Sequence, residues 1–165
     1  MLAKWVEGLK TKLSNDYGYM HNALALSRRG LGQVWPNPSV GCVIVKNGKI
    51  IGRGKTQNGG RPHAEVEAIK HASEDTFGST AYVTLEPCSH HGNTPPCVNS
   101  IIKSGIKEVF VASRDPDPRV SGKGIKKLVD AGISIHEGIL EKEAKEVNIG
   151  FFKRFSKGLP YVTLK

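Results

Sequence analysis

The sequence predicts an α/β fold: a three-layer α/β/α sandwich built on a mixed five-stranded sheet. Three observations predict it. Short β-branched runs alternate with segments of helical period from residue 40 onward. The first two runs are joined by Asn47-Gly48, a strong hairpin signal, so they should pair antiparallel. The later runs are separated by helix-length segments, the crossovers that parallel strands require.

The elements follow in order. Leu2, Trp5, Val6, Leu9 and Leu13 recur at helical spacing and predict an N-terminal helix packed on the core. Residues 16–30 predict a second helix, with Met20, Ala23, Leu24 and Leu26 on its apolar face, Asp16 near its start and Gly30 at its end. Pro36 and Pro38 exclude regular structure between Gly32 and Ser39. Val40–Val45 and Ile50–Gly52 form the hairpin. A helix opens near His63 and runs to about Ala72, and Tyr82–Leu85 is a strand. Val98–Lys103 is a helix closed by Gly105, and Glu108–Ala112 a strand. Ile125–Ala131 is a helix ending at Gly132, Ile133–His136 the last strand, and 141–155 the final helix. No internal repeat or low-complexity tract interrupts the pattern.

With 165 residues, 38% hydrophobic and 24% charged, the chain fits one domain with its own core. No apolar run is long enough to span a membrane, and the N-terminus lacks a secretion signal, which points to the cytoplasm. Three cysteines, an odd number, read as ligands plus a spare rather than a disulfide framework. The net charge of +9 suits a phosphate-bearing substrate or a nucleic acid. The basic residues are dispersed, however, so most read as solvated surface charge.

Chemistry concentrates in His63-Ala64-Glu65 and in the run from Pro87-Cys88 to Pro96-Cys97. His63, Cys88 and Cys97 supply one imidazole and two thiolates for zinc, leaving the fourth tetrahedral position open. An open position marks a catalytic rather than a structural zinc. Glu65 is the proton shuttle such a site needs and is not itself a ligand; together these residues indicate a hydrolytic zinc deaminase. Side chains of a first helical turn tilt toward its N-terminus, so His63 and Glu65 can reach one point beyond the helix end. Pro96 places Cys97 at the start of the next helix, and two positive helix ends would converge there. The competing reading is a structural site closed by Cys42, but Cys42 sits within an apolar strand and reads as a small core residue. His90 and His91 remain potential ligands by composition.

Eight residues separate Cys88 from Cys97, where nucleobase and nucleoside deaminases usually carry Pro-Cys-x-x-Cys. The longer loop ending Thr94-Pro95-Pro96-Cys97, together with Pro36-Asn37-Pro38, Asp115-Pro116-Asp117-Pro118 and Asn148-x-Gly150-Phe151, resembles the deaminase domain of the bacterial riboflavin-biosynthesis deaminase–reductase, of the cytidine deaminase-like superfamily. The resemblance covers nearly the whole chain. It implies Zn2+ and hydrolytic removal of the 2-amino group of a diaminopyrimidine bearing a phosphoribosylamino group, with release of ammonia. By the same resemblance Asn37 binds substrate near the reacting ring, and His90, Asn93, Asp115 and Asp117 line the pocket. The bland readings of Asn37 and Asp115 are a turn residue and an Asx-turn.

Three positions depart from the family pattern: Thr56 where a His is frequent, Asn93 where a basic residue is common, and Asp117 where Asn is common. Arg61, Arg119 or Lys123 would then be the cations left for a phosphate. Residues 1–157 form the deaminase domain, and 158–165 resemble the linker and first strand of an absent reductase domain. The chain is thus a truncated bifunctional protein or a deaminase-only one, with no use for NADPH. A homo-oligomer is implied by the resemblance alone. A tRNA or nucleobase deaminase of the same superfamily is the nearest rival function, and a non-catalytic zinc-binding module the rival from another class. Neither nucleic acid nor membrane is an expected partner.

Overall fold

The structure is a computed structural model that describes residues 2–92, 94–118, 120–162 and 164, with side chains from residue 13 onward. Helix α1 spans Leu2–Arg28, followed by strands β1 (Gly41–Lys46) and β2 (Lys49–Lys55). After a 3-10 turn at Asn58–Gly60 come α2 (Ala64–Lys70), β3 (Thr80–Val83) and α3 (Cys97–Lys103). Then follow β4 (Glu108–Val111), α4 (Lys123–Asp130), β5 (Ser134–Glu137), α5 (Glu141–Val147) and α6 (Ile149–Lys157).

The strands form one five-stranded sheet in the order β2-β1-β3-β4-β5. Asn47 and Gly48 both take positive φ, 50° and 74°, the backbone of a type I′ turn, whose twist matches that of the paired strands. This sets the antiparallel register Lys46↔Lys49. β1 also runs antiparallel to β3, whereas β3, β4 and β5 are mutually parallel, with Tyr82↔Phe110 and Phe110↔His136 in register. The mixed sheet expected from the sequence is present.

Alternation along β1 sends side chains to two separate cores. Cys42 and Ile44 join Ala64, Ala68, Val98, Ile101 and Leu128 beneath α2, α3 and α4. Val43 and Val45 join Met20, Leu24, Tyr82, Phe110 and Ala144 beneath α1 and α5. These are the three layers. Each fully buried aliphatic side chain contributes about 1.5–3 kcal/mol, so both faces of the sheet stabilise the fold. Glycine permits the closest approach. A methyl group on Gly54 in β2 would overlap the Ala64 carbonyl and crowd the Ala68 amide of α2. The helix that carries His63 and Glu65 can therefore lie directly on the sheet.

The structure differs from the sequence reading at four points. The two expected N-terminal helices are one, α1, because no proline or capped break separates them. Asp16 does not start a helix; it is buried within α1 and accepts the Tyr82 hydroxyl at 2.6 Å. Leu13 is 55% exposed rather than packed on the core, while the side chains of Leu2, Trp5, Val6 and Leu9 lie outside the described residues. The expected final helix 141–155 divides at Asn148 into α5 and α6. The buried Asn148 amide accepts from the Ser39 N–H and donates to the Ser39 carbonyl, both at 2.8 Å, which fixes the bend. Among the described residues no helix is long and apolar enough to cross a membrane.

Candidate active site

Parallel β3 and β4 deliver their following loops, 84–96 and 112–122, to the same end of the sheet, where ligands of open α/β sheets bind. Helices α2 and α3 begin at that end. His63 is the N-cap of α2, with extended backbone and no capping bond from its side chain, so its ring is free to turn outward. Cys97 opens α3 directly after Pro96. Its backbone N–H donates to the Cys88 sulfur at 3.3 Å.

The result is a compact donor group. His63 Nδ1 lies 3.2 Å from Cys97 Sγ and 3.5 Å from Cys88 Sγ, and the three donor atoms fall within 4.8 Å of one another. Zinc with bonds of about 2.0–2.3 Å sets tetrahedral edges of roughly 3.5–3.8 Å between N and S donors. The triad therefore fits zinc with modest adjustment, and its N/S/S chemistry is the set zinc favours. His63, Cys88 and Cys97 are the sole such group found among the described residues. Cys42, the candidate fourth ligand, is instead a free thiol sunk in the sheet core, its pKa pushed up by burial.

The Cys97 side chain hydrogen-bonds Cys88 and, with the His63 ring, holds the Cys88 thiol down at about 4. The same bond and burial push the Cys97 thiol up. His63 is raised first by its bond to Cys88. Metal binding must therefore displace protons from this cluster. Glu65 lies in the first turn of α2, 4% exposed, and burial lifts its carboxyl to about 7.

His63 and Cys88 of the triad border a cavity of about 250 Å³. Asn37, His90, Asp115 and Asp117 all lie in its lining, as does Arg61. Asn93 and Arg119 lie outside the described residues, and Lys123 is exposed on α4, away from the cavity. Thr56, where the family often has a His, lines the cavity but turns its hydroxyl to the Val40 backbone, accepting that N–H at 2.9 Å. Asn37 does sit in a turn, its N–H bonding the Val34 carbonyl at 2.9 Å. Its side-chain Nδ2 donates to the Gly60 carbonyl at 2.7 Å and stands 3.5 Å from His63 Nε2. Asp115 likewise forms the Asx-turn, accepting the Asp117 N–H at 2.8 Å. Burial raises its carboxyl to about 6. For both residues the turn and the cavity position coexist.

Two features had no local signal in the sequence. Glu86 is 3% exposed and its carboxylate collects four backbone N–H groups. Oε2 accepts from Gly122 at 2.9 Å and Asp115 at 3.3 Å; Oε1 accepts from Gly124 at 2.9 Å and Ile125 at 3.3 Å. One carboxylate thus ties the loop after β3 to the loop carrying Asp115 and Asp117. Gly124 is needed there, because a Cβ would overlap the Pro87 carbonyl. The second feature is the wall that α6 adds to the cavity, Phe151, Arg154 and Phe155.

Comparison with known proteins agrees with this geometry. Residues 13–113 match the family described as the cytidine and deoxycytidylate deaminase zinc-binding region. The riboflavin biosynthesis protein RibD of Escherichia coli is 51% identical over 150 residues, which cover 91% of this chain and 41% of that protein. The diaminohydroxyphosphoribosylamino-pyrimidine deaminase of Buchnera aphidicola (subspecies Schizaphis graminum) is 52% identical over 145 residues, covering 88% of this chain and 99% of that one. The RibD structure from Acinetobacter baumannii superposes with a TM-score of 0.87 at 50% identity, over 90% of this chain and 42% of that chain. This chain thus spans about two fifths of the RibD proteins it matches. On the family match, the identity and the shared fold, the chain belongs to the zinc-binding cytidine and deoxycytidylate deaminase family, in its riboflavin-biosynthesis branch.

Proposed function

We propose that this chain catalyses hydrolytic deamination of 2,5-diamino-6-(5-phosphoribosylamino)pyrimidin-4(3H)-one, an early reaction of riboflavin biosynthesis. The observation that carries the reading is the His63–Cys88–Cys97 triad beside a buried carboxyl whose pKa lies at about 7. The Buchnera relative named for this reaction extends over the same stretch of chain. Residues 1–157 act as the deaminase domain, ending where Gly158 caps α6 in the left-handed conformation, and 158–165 resemble the linker and first strand of a reductase domain.

In the reaction, water adds to the ring carbon bearing the 2-amino group, that C–N bond breaks, and ammonia leaves a ring carbonyl behind. His63, Cys88 and Cys97 would hold the zinc. Zinc, when bound, supplies Lewis acidity that brings the deprotonation of water to near-neutral pH. Glu65 takes the proton from water, passes it to the ring nitrogen and then assists the departing amine. A buried carboxyl whose pKa is raised by burial is suited to both taking and giving a proton. Asn37, held by the Gly60 carbonyl, directs its remaining amide oxygen to substrate donors. His90, Asp115 and Asp117 complete recognition of the heterocycle and ribose from the lining.

The test is ammonia release by the zinc-loaded protein, offered the phosphoribosyl diaminopyrimidine, cytidine and an adenosine-containing RNA in parallel. Turnover of the first substrate alone is expected. Glu65→Gln should retain zinc and lose roughly 10²- to 10⁴-fold in kcat. Turnover of cytidine or RNA would overturn the substrate assignment. Full activity in E65Q would overturn the role of Glu65.

A further inference from the structure

We propose that Arg154 binds the 5′-phosphate of the substrate, an inference that rests on the deaminase reading above. The candidates foreseen for this task were Arg61, Arg119 and Lys123. Among the described residues, Arg61 and Arg154 are the lysines and arginines that line the cavity. Arg61 gives one Nη1 N–H to the Thr94 hydroxyl on the intercysteine loop, and among the described residues no aromatic ring lies against its guanidinium. Arg154 has a different setting. Its guanidinium carbon lies 5.0 Å from the Trp35 ring centroid, 5.4 Å from that of Phe151 and 4.8 Å from that of Phe155. Three aromatic rings hold one cation.

Such a cage orients without consuming donors. Rings attract a guanidinium mainly through its faces, and its N–H groups point outward in the plane. One of them, on Nη2, donates to the Pro36 carbonyl at 3.3 Å. The others remain for a ligand. Parallel N–H pairs match the oxygen spacing of a phosphate monoester, which a lysine cannot reproduce. The neighbouring Lys153 lies over the Tyr161 ring, 5.7 Å from its centroid, and is absent from the cavity lining.

Position supports the same assignment. Arg154 borders both the catalytic cavity and the adjoining groove lined by Leu31, Trp35 and Tyr161. His63, Glu65 and Cys88 line the same cavity, close to the N-termini of α2 and α3. A substrate with its ring beside His63 and Cys88 would have Arg154 in the same cavity to receive its phosphate. The carboxyls of Asp115 and Asp117, in the same lining, would repel an anion, so a cation is needed to hold it.

The decisive experiment compares the phosphorylated substrate with its dephosphorylated riboside, using zinc-loaded wild type, Arg154→Ala and Arg154→Lys. R154A should raise KM for the phosphorylated substrate roughly 10- to 100-fold, the value of a charge-assisted contact, with kcat nearly unchanged. Its kcat/KM for the riboside should equal that of the wild type, and R154K should recover only part of the loss. Equal losses on both substrates would overturn the proposal and make Arg154 a clamp on the Trp35 loop. A separate arm titrates ribose 5-phosphate by calorimetry and needs no turnover. Binding lost in R154A supports the phosphate site even if the deaminase assay is silent. Equal binding by wild type and R154A would overturn it even if deamination is confirmed.

Discussion

Replacing Glu86 by Gln removes no side-chain volume and tests one carboxylate. In the native protein each oxygen accepts two backbone N–H groups, one at 2.9 Å and one at 3.3 Å. A glutamine oxygen keeps one such pair. Its NH2 group faces the other two N–H donors, so both of those bonds are lost and no rotation of the amide rescues them. A buried hydrogen bond to a charged group contributes about 1.5–3 kcal/mol, and the longer partner of each pair belongs at the low end. The loss should be about 3 kcal/mol. For a chain of 165 residues that corresponds to a melting temperature lower by roughly 6–12 °C. Urea unfolding followed by circular dichroism reads it directly as a lower midpoint with an unchanged slope. Asp115 and Gly122 are among the donors, so the loop carrying Asp115 and Asp117 should loosen and KM should rise. A loss below about 1 kcal/mol would show that the amide cradle does not hold the loop and would refute the reasoning.

Burial raises the Asp115 carboxyl from its ordinary 3.8 to about 6, so its contribution to stability is complete below pH 3.8 and lost as pH rises through 6. The stability of the wild type relative to Asp115→Asn should therefore fall between pH 4 and 6 and level off above; melting curves at stepped pH check this, and a flat difference would sink it. Glu65, also raised, is common to both proteins and cancels. Gly54→Ala should cost about 1–3 kcal/mol and lower kcat, because the new methyl drives α2 and its His63 off the sheet. Gly18→Ala, on the exposed face of α1 with open space around it, should instead stabilise by about 0.5–1 kcal/mol. Urea midpoints for the two alanine variants moving in the same direction would contradict the packing argument.

The parts of the molecule readable in sequence are those with a local cause. Asn47-Gly48 declares its turn because only a few residue types tolerate two successive positive φ values. His63, Glu65, Cys88 and Cys97 declare themselves because a metal site needs particular atoms near helix starts, and short spacings reveal that. Asn37 and Asp115 were found through resemblance, and each also makes the turn that its own chemistry suggested. What escaped depends on distant partners. The donors to Glu86 lie 29 to 39 residues away, and a glutamate between Leu85 and Pro87 gives no hint of them. Arg154 meets Pro36 across 118 residues, so a basic position on a C-terminal helix looked like surface charge. The break at Asn148 was missed for the same reason, since its partner is Ser39.

The wall formed by α6 separates two stages in the assembly of the site. All donor atoms of the metal triad are encoded by residue 97. The aromatic and cationic wall comes only with residues 151–155. Between them the chain must add β4 and β5, which extend the sheet, and α4 and α5, which cover its two sides. As synthesis proceeds from the N-terminus, the means of capturing a metal therefore exist more than fifty residues before a substrate can be enclosed. The metal ligands and the early lining residues Asn37 and His90 thus precede, in sequence order, the α6 wall that completes the enclosure.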